Sequence, residues 1–228
     1  MKNYKKYIIT SLLVGMTLSV SAAETPAAKV DTEEAKKTAS VKKEKVVTLS
    51  HDTVVWAYEA RAELPSTDKK LAEYVSSDYS NAEDEFERQE LLEKIKPIIK
   101  KRIQEASKQE VYTIVLDKYL NEYDFQQKGF PTEVGEGSFV THGNVYATLF
   151  ANPEGLDFIR VNKEDAKKLM KSLTNRKYKV EITGTIDAVK EMALNGYRYK
   201  TIQLWPTKMV IYGGKNQKEK VWETSFEE

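Results

Sequence analysis

The densest chemistry in this chain lies in Tyr119-Leu120-Asn121-Glu122-Tyr123-Asp124-Phe125, followed closely by Gly129-Phe130-Pro131. Aromatics this close together in a stretch punctuated by Gly and Pro either plug a core or line a groove. Asp124, held between two rings, suits a carboxylate that caps its own turn. Trp205, with Tyr197, Tyr199 and Tyr212 around it, offers a second aromatic face in the C-terminal part of the chain, of the kind that stacks on sugars or peptides. Tyr119, Tyr123, Asp124, Phe125, Phe130 and Trp205 are therefore the candidate binding residues.

Acid–base chemistry has fewer carriers. His142, in Gly137-Ser138-Phe139-Val140-Thr141-His142-Gly143-Asn144, stands near two hydroxyls and could act as a general base. It lacks the Gly-x-Ser-x-Gly turn that exposes a serine nucleophile. Glu122 and Asp124 form the nearest carboxylate pair for a hydrolase. His51 is the only other histidine, and neither His-Glu-x-x-His nor His-x-His occurs. The chain has no cysteine, which excludes thiolate nucleophiles, thiolate zinc sites and iron–sulfur clusters. The acids Asp78, Glu83, Asp84, Glu85 and Glu87 gather where a helix N-terminus favours negative charge. Lys94, Lys96, Lys100, Lys101 and Arg102 alternate with Glu90, Glu93 and Glu105 at helical spacing and read as a paired, solvated face. The expectation is no metal, no cofactor and no nucleic-acid partner.

Helices come first among the elements that must position these residues. Asp52 is a cap for a helix to about Glu63, with Val55, Tyr58 and Ala62 on one face, and Pro65 ends it. Ser66 or Thr67 caps a second helix carrying Leu71, Tyr74 and Val75. Asn81 opens a long helical stretch to about Lys108, striped by Phe86, Leu91, Ile95, Ile99, Ile103 and Ala106, with Pro97 predicting a kink or two abutting helices. The period then shifts. Val111 to Leu116 reads as a strand and Tyr119 to Thr132 as an ordered loop. Val145 to Phe150 and Phe158 to Val161 are strands, and Asn162 with Asp165 caps a helix carrying Ala166, Leu169, Met170 and Leu173. Tyr178, Val180, Ile182, Gly184 and Ile186 alternate with polar residues, the mark of an antiparallel strand with one wet face. Asn195-Gly196 turns this strand back into Tyr199 to Leu204. Pro206 breaks that run, Lys208 to Tyr212 follows, and an edge strand falls within 215–228. Helices followed by strands give an α+β domain over 46–228: N-terminal helices packed on a mainly antiparallel C-terminal sheet with one inserted helix.

The segments Asp84-Glu85-Phe86-Glu87, Tyr119 to Phe125 and Gly129-Phe130-Pro131, in this order, resemble a family of exported bacterial proteins of unknown function. The resemblance runs over about 54–131 and brings no activity and no catalytic residue with it; it implies only export.

The N-terminus reads the same way. Lys2, Lys5 and Lys6 precede an apolar run from Ile8 to Val20, and Ser21-Ala22-Ala23 has the small-x-small form that a signal peptidase cuts. The run falls short of the roughly 20 residues a membrane span needs. Residues 1–23 are thus expected to be a cleaved signal peptide. No cysteine follows to carry a lipid. The leader takes three lysines with it, turning a formal charge of +1 for 36 basic and 35 acidic residues slightly negative. Residues 24–45, rich in Ala, Lys, Glu and Thr, lack the apolar surface to offset their ordering entropy and read as a disordered tether. The function expected is a non-catalytic binding module of the periplasm, or secreted, for an envelope protein, a peptide or a glycan. The alternatives are an envelope hydrolase using His142 or a carboxylate pair, and a structural envelope protein acting through an oligomer interface.

Overall fold

The computed structural model describes residues 45–226; the expected signal peptide and most of the tether lie outside the described residues. Helix α1 (His51–Glu59) begins at Ser50, not Asp52. Ser50 Oγ accepts from Thr53 N–H while Thr53 Oγ1 accepts from Ser50 N–H at 2.7 Å. That reciprocal pair satisfies two orphan donors at once, and it leaves Asp52 in the first turn, where its charge suits the positive end of the helix. The helix also stops four residues before the expected Glu63. Val54 through Glu59 are all buried, because α1 contacts α4 (Glu85–Ser107) as well as the sheet strands Tyr146–Phe150 and Tyr197–Gly213. The buried surface therefore runs round the helix from Val54 to Glu59 and is wider than the one face of Val55, Tyr58 and Ala62 that the sequence suggests.

Helix α2 (Asp68–Val75) is capped by Thr67, as the sequence suggests, and a short α3 (Ser77–Asn81) follows. Asn81 closes α3 instead of opening the long helix. Asp84 caps α4, accepting from Glu87 N–H at 2.8 Å, and Glu87 Oε2 accepts in return from Glu83 N–H. The acidic run is the cap. Helix α4 continues through Pro97. The missing N–H leaves the carbonyl of Glu93 without its helical partner, but Pro97 and Glu93 are both exposed, so the lost bond is not buried. The buried stripe is Leu92, Ile95 and Ile99. Phe86 is 85% exposed; at about 100° per residue it falls on the side opposite Ile95.

The strands are β1 (Val47–Thr48), β2 (Val111–Tyr119), β3 (Gly129–Pro131), β4 (Phe139–His142), β5 (Tyr146–Phe150), β6 (Phe158–Arg160), β7 (Lys177–Leu194), β8 (Tyr197–Gly213) and β9 (Glu219–Ser225); α5 (Lys163–Ser172) lies between β6 and β7. One sheet has the order β1-β2-β7-β8-β5-β4, with β9 also on β8, and β3 pairs with β6 alone. Only β1–β2 and β5–β8 are parallel. The fold is α+β, as the element order implies. Asn195 and Gly196 both take positive φ, 49° and 82°, and form the tight turn between β7 and β8. On β7, Tyr178, Val180, Ile182 and Gly184 are buried in alternation. Pro206 does not break β8. It lies opposite Gly184 where the register slips between Thr183 and Gly184, and a Cβ on Gly184 would overlap the carbonyl oxygen of Trp205. The bulge absorbs a residue that cannot donate to the ladder. Asn162 caps α5, its Oδ1 accepting from the N–H groups of Glu164 and Asp165, both at 3.0 Å. Met170, expected on the inner face of α5, is 43% exposed. Among the described residues no helix is long and apolar enough to cross a membrane.

Candidate functional site: a charged aromatic cleft beside α1

A cleft of about 540 Å³ opens beside α1, walled by the end of α2, the C-terminal half of α4 and the start of β2. Trp56, from α1, lines it and is only 6% exposed. Its Nε1–H is the one buried side-chain polar atom without a hydrogen-bond partner among the described residues. Such a donor costs roughly 1–3 kcal/mol while it stays unpaired. The Arg102 guanidinium lies over the Trp56 ring at 5.2 Å, a cation–π contact. Glu105, three positions along, faces Lys101 at 4.0 Å instead. Tyr74 meets Trp56 edge-on, with ring centres 6.1 Å apart. The Tyr74 hydroxyl donates to the His51 carbonyl at 2.9 Å and to Asp52 Oδ1 at 3.3 Å. Burial, and then the Asp52 charge, push its pKa up to about 12, so it remains a donor at any physiological pH.

Arg61 fixes the floor of the cleft. Its guanidinium donates to the carbonyls of Ala57 and Ala106, to that of Gln109 at 2.6 Å, and to the Tyr112 hydroxyl. It therefore ties the last turns of α1 and α4 together and meets the negative ends of both helix dipoles. Tyr112, under this cation at 5.4 Å, lines the cleft in turn.

A second polar cluster centres on the buried Glu59 carboxylate, with Ser66 and Lys200 half-buried at its edge. Glu59 Oε1 accepts from Lys200 Nζ at 2.7 Å, Ser66 Oγ at 2.9 Å and Tyr146 Oη at 3.0 Å, and Glu59 Oε2 accepts from Ser66 N–H at 2.6 Å. Burial alone would raise the Glu59 pKa, but the hydrogen bonds from Lys200 and Ser66 outweigh it and hold the carboxyl below its usual range. The same carboxylate, after burial itself, keeps the Tyr146 phenol far above the ordinary tyrosine range.

The residues singled out in the sequence are dispersed. Phe130 is fully buried, Tyr119 is 56% exposed and Phe125 is 73% exposed. Tyr123 is half-buried between the Phe125 and Phe130 rings, and its hydroxyl donates to the Val161 carbonyl at 3.0 Å. Asp124 Oδ1 accepts from the N–H groups of Gln126 and Gln127 at 2.7 and 2.8 Å and thus caps its own turn. Arg176 clamps the loop by donating from Nε to the Leu120 carbonyl at 2.8 Å and from Nη2 to that of Asn121. Trp205 is half-buried on β8, in a different part of the sheet. Glu122 is exposed.

His142, the candidate general base, is buried at the end of β4 with Nε2 3.0 Å from Thr148 Oγ1. Burial, and then the neighbouring His51, bring its pKa down to about 4, so the ring is neutral at pH 7. The two histidines, 91 positions apart in the chain, are thus neighbours. Among the described residues no three His, Asp or Glu side chains gather as a metal site.

Sequence reading missed Trp56, Arg102 and Glu59. Glu59 left a trace, as an acid closing the apolar run Val54–Tyr58. The cleft left none, since its walls come from five elements, β1, α1, α2, α4 and β2, joined only by folding. A family model described as "Domain of unknown function (DUF4852)" matches residues 68–172. The match takes in Tyr74, Arg102 and Tyr112 of the cleft, together with the aromatic loop, but not Trp56. Neither the curated proteins nor the solved structures contain a match to the chain.

Proposed function

We propose that this chain is an exported, non-catalytic binding module of the periplasm, and that its ligand seat is the cleft of Trp56, Tyr74 and Arg102. The observation that carries this reading is the unpartnered Trp56 indole N–H, in a wall where an arginine lies over the same ring. Few, well-placed polar groups on an aromatic lining are the usual make-up of a small-molecule site, and a volume of 540 Å³ is within the usual range. The groups a hydrolase would need are committed elsewhere. His142 is turned inward against Thr148, and Asp124 caps its turn. The exposure of Phe125 on top of Tyr123 favours a second surface, the 119–131 loop, for an envelope protein or peptide.

Two measurements test this reading. Mass spectrometry of the periplasmic fraction is expected to find a chain starting at Glu24; a full-length cytoplasmic chain would overturn export. A library of amino acids, muropeptide fragments and sugars, followed by the indole N–H signals of the three tryptophans, is expected to move Trp56 and to return the ligand unchanged. A chemically altered ligand would make the protein an enzyme.

A further inference from the structure

The cleft is lined by two cations, Lys45 and Arg102, and two carboxylates, Asp52 and Glu105; Glu105 faces Lys101 at 4.0 Å, which leaves Arg102 and Asp52 as the pair that flanks the Trp56 and Tyr74 rings. Arg102 rests on Trp56, and Asp52 takes the Tyr74 hydroxyl through Oδ1; the two ring centres stand 6.1 Å apart. Among the described residues Arg102 has no carboxylate partner, and Asp52 Oδ2 has no donor. A simple anion entering beside Arg102 would be repelled by Asp52, and a simple cation beside Asp52 would be repelled by Arg102. A ligand carrying both charges close together answers both residues at once. Val47, Val75 and Ala106 add apolar lining to the same cleft, which suits an uncharged side chain.

Resting on the binding reading above, we infer that the cleft takes a small zwitterion: a free α-amino acid with an apolar side chain. Its carboxylate pairs with Arg102 and brings an acceptor to the Trp56 wall. Its ammonium pairs with Asp52.

The test uses the full chain with labelled tryptophan and four probes: L-phenylalanine, L-leucine, L-phenylalaninamide, which lacks the carboxylate, and N-acetyl-L-phenylalanine, which lacks the ammonium. The Trp56 indole signal, assigned by Trp56→Phe, reports binding. The two amino acids are expected to shift it, and each blocked form to bind at least tenfold more weakly. Arg102→Gln is expected to erase the difference between phenylalanine and its amide, and Asp52→Asn the difference between phenylalanine and its N-acetyl form. Both residues are exposed, so neither variant endangers the fold. Blocked forms that bind as well as phenylalanine overturn the zwitterion. So does a Trp56 signal that ignores both amino acids but answers another member of the wider library, which leaves the cleft reading standing. A Trp56 signal that answers nothing overturns both.

Discussion

Glu59 and Lys200, 141 positions apart, meet at 2.7 Å with the carboxylate side chain wholly buried and the lysine side chain 19% exposed. The pair joins α1 to β8, and Ser66 and Tyr146 take up the remaining contacts of the Glu59 carboxylate. Lys200 also lies over the Tyr58 and Tyr146 rings, at 5.1 and 5.8 Å. A buried ion pair gains little over a well-packed apolar pair, yet removing one member strands the other charge, which costs about 3–5 kcal/mol. Lys200→Met is therefore expected to destabilise strongly, and Glu59→Gln with Lys200→Met together by less than the sum of the two. Urea unfolding of the four proteins closes the cycle; additive losses would show that the pair is not coupled.

His142 gives the fold a pH dependence. Its folded pKa, about 4, is below the ordinary 6.5. The unfolded chain therefore binds more protons than the folded one between these values. The contribution is complete above pH 6.5 and is lost as pH falls toward 4. Its full size is about 3 kcal/mol at one pKa unit per roughly 1.4 kcal/mol. His142→Gln, which can still bond Thr148, is expected to lose less stability than the parent between pH 7.5 and 5. Parallel losses in the two proteins would assign the effect to another group.

Much of the backbone was legible before the structure, and little of the site was. The β7 alternation and the Asn195-Gly196 turn are local patterns, fixed by residues two or a few positions apart, and they folded as read. The acids at Glu83–Glu87 marked a helix start, but Asn81, read as its opening, stands three residues before the Asp84 cap, since Ala82 and Glu83 separate α3 from α4. Pro206 misled because its tolerance depends on Gly184, 22 positions away on the partner strand. Trp56 and Arg102 are 46 positions apart and become neighbours only when α1 is wrapped by α4. Nothing in the local pattern at either residue records the other.

Gly184 should be the least replaceable glycine of the sheet. A Cβ there meets backbone, the Trp205 carbonyl, which cannot swing aside as a side-chain tip would. Gly184→Ala is expected to cost about 3 kcal/mol, at the upper end of what overpacking costs. Gly137 takes a φ of 78° with open space around it, so Gly137→Ala should cost only its left-handed strain of about 1–2 kcal/mol. Thermal unfolding of both variants would separate the two; equal losses would mean that the β7–β8 bulge rearranges to admit the methyl group.

The aromatic loop divides into a core half and a solvent half, and substitution should show the line between them. Phe130 is fully buried against the Tyr123 ring; truncating a buried phenylalanine costs about 3–5 kcal/mol. Phe125 and Tyr119 are mostly exposed, and surface changes away from caps and cores stay within about 0.5 kcal/mol. Phe125→Ser and Tyr119→Ser are thus expected to leave the unfolding midpoint almost unmoved, whereas Phe130→Ala shifts it sharply. If the loop also meets an envelope partner, cross-linking in intact cells should fail in Phe125→Ser while its stability is unchanged. A Phe125→Ser chain that unfolds as readily as Phe130→Ala would instead make the exposed ring part of the packing, and the loop would lose its claim as a docking surface.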